Sequence, residues 1–218
     1  MVGSELIVVI PAHNEAATIG AVVAGARLHA RVIVVDDGST DDTGAIAEAA
    51  GAQIIRNRPG LGYDGALQAG AAAAVAAGAR AVVTMDADGE HAPELVADFR
   101  RLLLQDKVPL VLGVRPRKQR LAEYLVGWYC RWRWGIRDIL CGMKGFDVAL
   151  YHQNGGLDHV RGVNMELALT ALSHGHRFAQ IPVYGTPRPD QPRFGRRWHA
   201  NKAILAAFLR VLRRLPTL

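Results

Sequence analysis

The sequence predicts an α/β domain, a Rossmann-like and mostly parallel sheet flanked by helices, and three observations carry that prediction. Short β-branched runs alternate along the chain with alanine-rich or amphipathic segments of helical length. The runs are continuously apolar rather than alternating, as strands covered on both faces are. Two of them end directly in aspartates, which puts carboxylates where a parallel sheet presents its ligand edge.

In chain order, residues 6–10 predict a buried strand closed by Pro11, and 16–28 a helix. Residues 32–35 give a second strand, 43–50 a helix capped by the Asp and Ser residues before it, and 53–56 a third strand. The alanine-rich segment 66–77 is a strong helix former that stops at Gly78, and 81–85 is a fourth strand running into Asp86. Pro93 opens a helix over 94–104, and 108–112 is a fifth strand. The pattern then loosens into an aromatic and basic stretch over 124–137, a strand near 143–146, a helix over 166–172 and a strand over 178–183. A basic loop over 187–197 and a helix over 202–212 complete it. Nothing in the composition marks a linker, so residues 1–218 are expected to form one domain, with a regular half over 1–112 and an elaborated half over 113–218.

Composition narrows the function classes. Half of the 218 residues are apolar, 21% are charged and the mean hydropathy is +0.08, which excludes collagen-like, disordered and disulfide-scaffold proteins. The longest apolar stretches, 66–79 and 203–212, fall short of the roughly 20 residues that cross a bilayer. Glu5 precedes the first apolar run with no basic cluster ahead of it, so the N-terminus is expected to be structural rather than a secretory signal. Cys130 and Cys141 belong to no CxxC or Cys/His cluster, which predicts reduced thiols and a cytoplasmic setting. The histidines show no zinc-ligand spacing. A net charge of +6 calls for an acidic partner, either nucleic acid, anionic lipid or a phosphorylated small molecule. Acidic residues concentrate between Asp36 and Asp106 and most arginines follow Arg115, without a nucleic-acid recognition motif.

The aspartates after the second and fourth strands carry the chemistry. Asp86 and Asp88 are two apart, so on extended backbone they face the same way and can share one hard cation or a cation-bound phosphate. The plainer alternative is a turn that caps the helix beginning near Pro93. Gly60-Leu61-Gly62-Tyr63-Asp64-Gly65 matches the dinucleotide-binding GxGxxG, with an acidic residue about 20 positions on. That fingerprint normally follows a first strand directly, whereas Asn57, Arg58 and Pro59 intervene here after the third. A dinucleotide-dependent oxidoreductase is therefore a remote alternative, behind a glycine-permitted turn beside a ligand or a plain turn.

Three ordered motifs resemble glycosyltransferase family 2: Pro11-Ala12-His13-Asn14-Glu15, Val35-Asp36-Asp37-Gly38-Ser39-Thr40-Asp41 and Met85-Asp86-Ala87-Asp88-Gly89-Glu90-His91. The run Arg137-Asp138-Ile139-Leu140-Cys141-Gly142-Met143-Lys144-Gly145-Phe146, with Gly60-Leu61-Gly62, is similar to the dolichol-phosphate mannose synthase branch, whose acceptors are polyprenyl phosphates. The resemblance covers residues 5–185, with a weaker echo over 193–202. It implies a GT-A fold and inverting transfer from a UDP- or GDP-linked sugar, the first 112 residues forming the nucleotide-sugar half. Pro11, Asn14 and Glu15 would border the nucleotide, Asp37 its base or ribose, and Gly62 the turn beside it. Asp86, Ala87 and Asp88 would bind the donor, with Asp86 and Asp88 holding Mg²⁺ or Mn²⁺. Glu90 stands where Gln is usual in that branch, and a carboxylate there can still ligate such a cation.

The acceptor side is read from residue chemistry. Tyr124, Trp128, Tyr129, Trp132 and Trp134 are interleaved with Arg131, Arg133 and Arg137, a pattern suited to a lipid interface or to core packing. The segment 202–218 suits either an anionic membrane surface or docking against the body of the protein. These features lead to an expected peripheral location at the cytoplasmic face of the membrane. A lipid phosphate is already anionic, so its attack needs little help from a base; the position of Arg115, Arg117 and Arg131 in the resembling motifs then implies that they hold that phosphate. A hydroxyl acceptor would instead require Asp138 or Glu166 as base. Asp88, Asp138 and Arg115 are the candidate catalytic set.

Overall fold

The computed structural model describes residues 5–116, 120–158, 162, 164–184 and 197–215. Its strands are β1 (Leu6–Ala12), β2 (Arg31–Asp36), β3 (Gln53–Arg56), β4 (Ala81–Thr84), β5 (Leu110–Val114), β6 (Lys144–Asp147) and β7 (Phe178–Pro182). Its helices are α1 (Ile19–Ala26), α2 (Thr43–Ala49), α3 (Gly62–Ala76), α4 (Leu95–Arg100), α5 (Leu121–Trp134), α6 (Val148–Asn154), α7 (Glu166–Ser173) and α8 (Arg197–Leu212).

The strands form one sheet in the order β3-β2-β1-β4-β6-β5-β7. Pairing is parallel throughout except at β6, which runs antiparallel to both β4 and β5. Strand residues divide by parity, as pleating requires. Ile7, Val9, Ile33, Val35 and Val82 pack with α3 and the elements after α5, whereas Leu6, Val8, Ile10, Val32, Val34 and Val83 pack with α1 and α4. The continuous apolar runs thus feed two cores, one on each face.

Five expectations change. The helix expected over 202–212 is α8, which begins five residues earlier at Arg197. The strand expected at 108–112 is β5, two residues later, after a wide π-helical turn over Arg101–Gln105 that continues the helical path of α4. The stretch over 124–137 is not irregular: it is mostly α5, which begins at Leu121 and ends on left-handed Gly135. Helix α3 starts at Gly62 rather than Ala66, within the glycine-rich run. The helix α6 was not expected; Asp147 caps it, its carboxylate accepting the Leu150 N–H at 2.8 Å. The basic loop expected over 187–197 lies, apart from its last residue, outside the described residues.

Strands β1, β2, β4 and β5 all end at one edge, and antiparallel β6 begins there. The chain leaves β1 toward β2 and enters β4 on the opposite side, so the β1/β4 junction is the topological switch point where α/β sheets open a crevice.

Candidate active site

The loops after β1 and β2 are laced together. Asn14, at φ 55°, donates its backbone N–H to the Ser39 hydroxyl at 3.0 Å and accepts the Thr40 N–H on Oδ1 at 2.8 Å. The Glu15 N–H reaches the Thr43 hydroxyl at 2.7 Å, and the buried Asp36 carboxylate accepts the Ser39 N–H at 3.0 Å. Asn14 and Glu15 are thereby set at the mouth of the crevice, with the buried Pro11 beneath them in β1.

Asp37 is buried, and its carboxylate accepts three N–H groups: Asn57 Nδ2 at 2.8 Å, Leu61 N at 2.8 Å and Gly62 N at 2.7 Å. It therefore stabilises the N-terminus of α3 from a different strand, offsetting the amides that a helix start leaves open. The glycine run serves this approach. A Cβ on Gly60 would lie 2.7 Å from the Asp37 carbonyl oxygen, and Gly62 has φ 78°. Because α3 follows β3 near the sheet border and not β1, the GxGxxG match is no dinucleotide fingerprint.

Beyond β4, Asp86 is part-exposed and Asp88 and Glu90 are intermediate in burial, while Ala87 is buried. The Asp86 carboxylate accepts the Tyr63 hydroxyl at 3.1 Å, and its backbone N–H is directed to Nδ1 of buried His91 at 3.3 Å. Asp88 accepts the Glu90 N–H at 3.0 Å. Among the described residues no three or more His, Cys, Asp and Glu side chains form a protein cage for an ion. Hard carboxylate oxygens on a part-exposed turn nonetheless fit a divalent cation whose remaining ligands are phosphate and water.

The turn before β6 presses on this pair. A Cβ on Gly142 would come within 2.1 Å of an Asp86 carboxylate oxygen, so only glycine permits that approach. The Gly142 carbonyl accepts the Thr84 hydroxyl at 2.7 Å, and the Cys141 carbonyl accepts the Lys144 ammonium at 2.7 Å. Lys144 is buried, and burial pushes it down to about 8 although Asp138 and Asp86 oppose that fall.

Asp138 and Arg115 form a bidentate pair, Nε to Oδ2 at 2.8 Å and Nη2 to Oδ1 at 3.0 Å. Glu123, also buried, lies 3.4 Å from the same guanidinium. Burial alone would raise the Asp138 carboxyl, but Arg115 overrides it and holds the group below its usual range. Glu166 is buried at the start of α7, 3.6 Å from Arg214. Arg131 is exposed on the last turn of α5, and Arg117 lies outside the described residues. Sequence reasoning did not single out Tyr63, Thr84 or Lys144. A lysine opening a short strand whose next two residues, Gly145 and Phe146, are apolar was the available signal for the last.

On α5, Ala122, Val126 and Cys130 face the core, while Leu121, Tyr124, Leu125, Trp128 and Trp132 form an exposed stripe, Trp132 at 72%. Leu209 of α8 is exposed as well, and α8 packs on α5 through Phe208 against Tyr129, ring centroids 5.5 Å apart. No helix among the described residues is long and apolar enough to cross a membrane.

The Glycosyl transferase family 2 model matches residues 7–124. An uncharacterized glycosyltransferase of Mycobacterium tuberculosis is 32% identical over 202 residues, covering 86% of this chain and 88% of its own. The dolichyl-phosphate hexose transferase of Haloferax volcanii is 30% identical over 199 residues, 82% of each chain, and the polyprenol monophosphomannose synthase of Mycolicibacterium smegmatis is 28% identical over 211, 84% and 77%. Among solved structures, glucosyl-3-phosphoglycerate synthase from Mycobacterium tuberculosis, in complex with Mn²⁺, UDP and phosphoglyceric acid, superposes with a TM-score of 0.77. It is 23% identical, and the match covers 99% of this chain and 80% of that one.

Proposed function

The chain belongs to glycosyltransferase family 2, with the GT-A fold; from that membership we propose that it is a Mg²⁺- or Mn²⁺-dependent inverting enzyme moving a sugar from a UDP- or GDP-linked donor to a polyprenyl phosphate. The observation that carries this reading is the exit of Asp86 and Asp88 from β4 at the switch point, beside the laced loops of β1 and β2. Asp86 and Asp88 would hold the cation, with Glu90 beside them, and the ion supplies charge neutralisation for the departing diphosphate. Pro11, Asn14 and Glu15 border the donor. Asp37 braces the glycine turn that includes Gly62, and Ala87 keeps the two aspartates on one short backbone path.

The acceptor follows from which carboxylates are engaged. Asp138 has both oxygens on Arg115, and a carboxylate held below its usual range is a poor proton acceptor. Glu166 is buried beside Arg214. A lipid phosphate needs neither, since its attacking oxygen is already anionic. We assign exposed Arg131 to that phosphate and Arg115 to framing the site through Asp138. The relatives named for dolichyl-phosphate and polyprenol chemistry support the same acceptor class.

The α5 stripe gives the enzyme a place to meet a bilayer peripherally, with Arg131 exposed on α5, Lys202 on α8 and Arg213 in the turn just past α8. Trp128→Ser combined with Trp132→Ser is expected to weaken binding to phosphatidylglycerol vesicles on the order of 100-fold, as two lost apolar insertions of about 1.5 kcal/mol each imply. Cosedimentation measures it, and unchanged partitioning of the double variant removes α5 from the membrane assignment.

Purified protein given Mn²⁺, a panel of nucleotide sugars and polyprenyl phosphate is expected to release one nucleoside diphosphate per glycosylated lipid. EDTA should stop the reaction. Turnover onto 3-phosphoglycerate with no lipid product would overturn the acceptor assignment while leaving the donor reading intact.

A further inference from the structure

Lys144 opens β6 at the ligand edge, yet its side chain is turned inward and 3% exposed. Among the described residues no carboxylate stands within salt-bridge distance of it. Its ammonium instead donates to the Cys141 carbonyl at 2.7 Å. A buried ammonium bonded to a neutral carbonyl is costly, so a fold that keeps one gains something specific from the contact. The next carbonyl, that of Gly142, is held by the Thr84 hydroxyl at 2.7 Å, and Thr84 in turn accepts Asn164 Nδ2 at 3.2 Å. Two consecutive carbonyls are thus tied inward, which fixes the peptide plane between them. What that plane sets is the placement of Gly142, whose α-carbon sits so close to the Asp86 carboxylate that a methyl there would be 2.1 Å from its oxygen.

We propose that Lys144 is a positioning residue of the donor site: by fastening the Cys141 carbonyl it seats Gly142 against Asp86 and fixes the orientation in which that carboxylate meets the cation and diphosphate. This rests on the donor reading given above. Lys144 acts through the turn and touches no reacting atom. Its contribution is the hydrogen bond, so a neutral donor in its place retains part of the effect.

The test is calorimetric titration of UDP and of GDP, each with Mn²⁺ and with EDTA, on wild type, Lys144→Met and Lys144→Gln, alongside thermal melts. The wild type is expected to bind one nucleotide more tightly with Mn²⁺. Lys144→Met should lose about tenfold of that Mn²⁺-dependent affinity while its metal-free binding changes less than twofold, a split that general loosening would not produce. Lys144→Gln, whose amide can still donate to the Cys141 carbonyl, should fall between the two. Lys144→Met indistinguishable from a Mn²⁺-responsive wild type overturns the proposal alone. A wild type that gains nothing from Mn²⁺ overturns the donor reading and the proposal with it. If Lys144→Met does not fold, Lys144→Gln decides: a folded Gln variant whose Mn²⁺ enhancement falls below that of wild type while its metal-free binding is unchanged supports the positioning role, and one with the full wild-type enhancement overturns it.

Discussion

Asp88→Ala is expected to reduce sugar transfer about a thousandfold, the equivalent of roughly 4 kcal/mol of lost transition-state stabilisation when a divalent ion loses an anionic ligand. Asp88 lies on the turn after β4, part-exposed, with one oxygen on the Glu90 N–H at 3.0 Å. Its removal leaves both cores untouched, so the melting temperature should stay within about 2 °C, as for a surface substitution. Steady-state kinetics on the donor the wild type accepts, together with a circular-dichroism melt, measures both quantities. A folded variant keeping a tenth of wild-type activity would remove Asp88 from the catalytic set.

The second large effect is on stability. Arg115→Met leaves buried Asp138 without its bidentate partner, while Glu123 keeps Arg120 at 3.1 Å. Breaking a buried pair from one side costs about 3–5 kcal/mol, which for a chain of this length lowers the melting temperature by about 10 °C. The pH dependence has a definite sign. Asp138 titrates below its usual value in the folded protein, so the pair's contribution is present above the unfolded carboxyl value near about 4 and is lost as pH falls through the folded value. In the variant, burial without Arg115 raises Asp138, so its deficit against wild type is largest at neutral pH and shrinks on acidification. Urea titrations at pH 7 and pH 4 read this out, and a deficit that is the same at both would mean that the pair is not the origin of the stability.

Legibility in the sequence followed how local each signal was. The buried strands were visible because continuous Val/Ile runs need no partner to be recognised, and parity alone sorted their side chains between two cores. Asp86 and Asp88 were visible for the same reason, being two residues apart at a strand end. Helix α5 was misread because Leu121, Tyr124, Leu125, Trp128 and Trp132 make its outer face as apolar as its inner one, which erases the helical period. The start of α3 was placed late because Asp37, 24 residues upstream of Leu61, supplies its N-terminal acceptor, and no capping residue precedes it in sequence. The engagement of Asp138 with Arg115, 23 positions away, and the role of Thr84 beneath Gly142, 58 away, are tertiary facts that spacing does not encode.

The reversed direction of β6 has an evolutionary consequence. The residues proposed to hold the donor follow β1, β2, β3 or β4, whereas residues 137–143 reach the edge as the lead-in to a strand travelling the other way. Insertions between Gly135 and Asp138 therefore leave the register of those strands unchanged, whereas Asp138, Cys141 and Gly142 are held in place by Arg115, Lys144 and Thr84. Chimeras joined between 116 and 120, and again between 135 and 138, are expected to change the acceptor while keeping the proposed donor site.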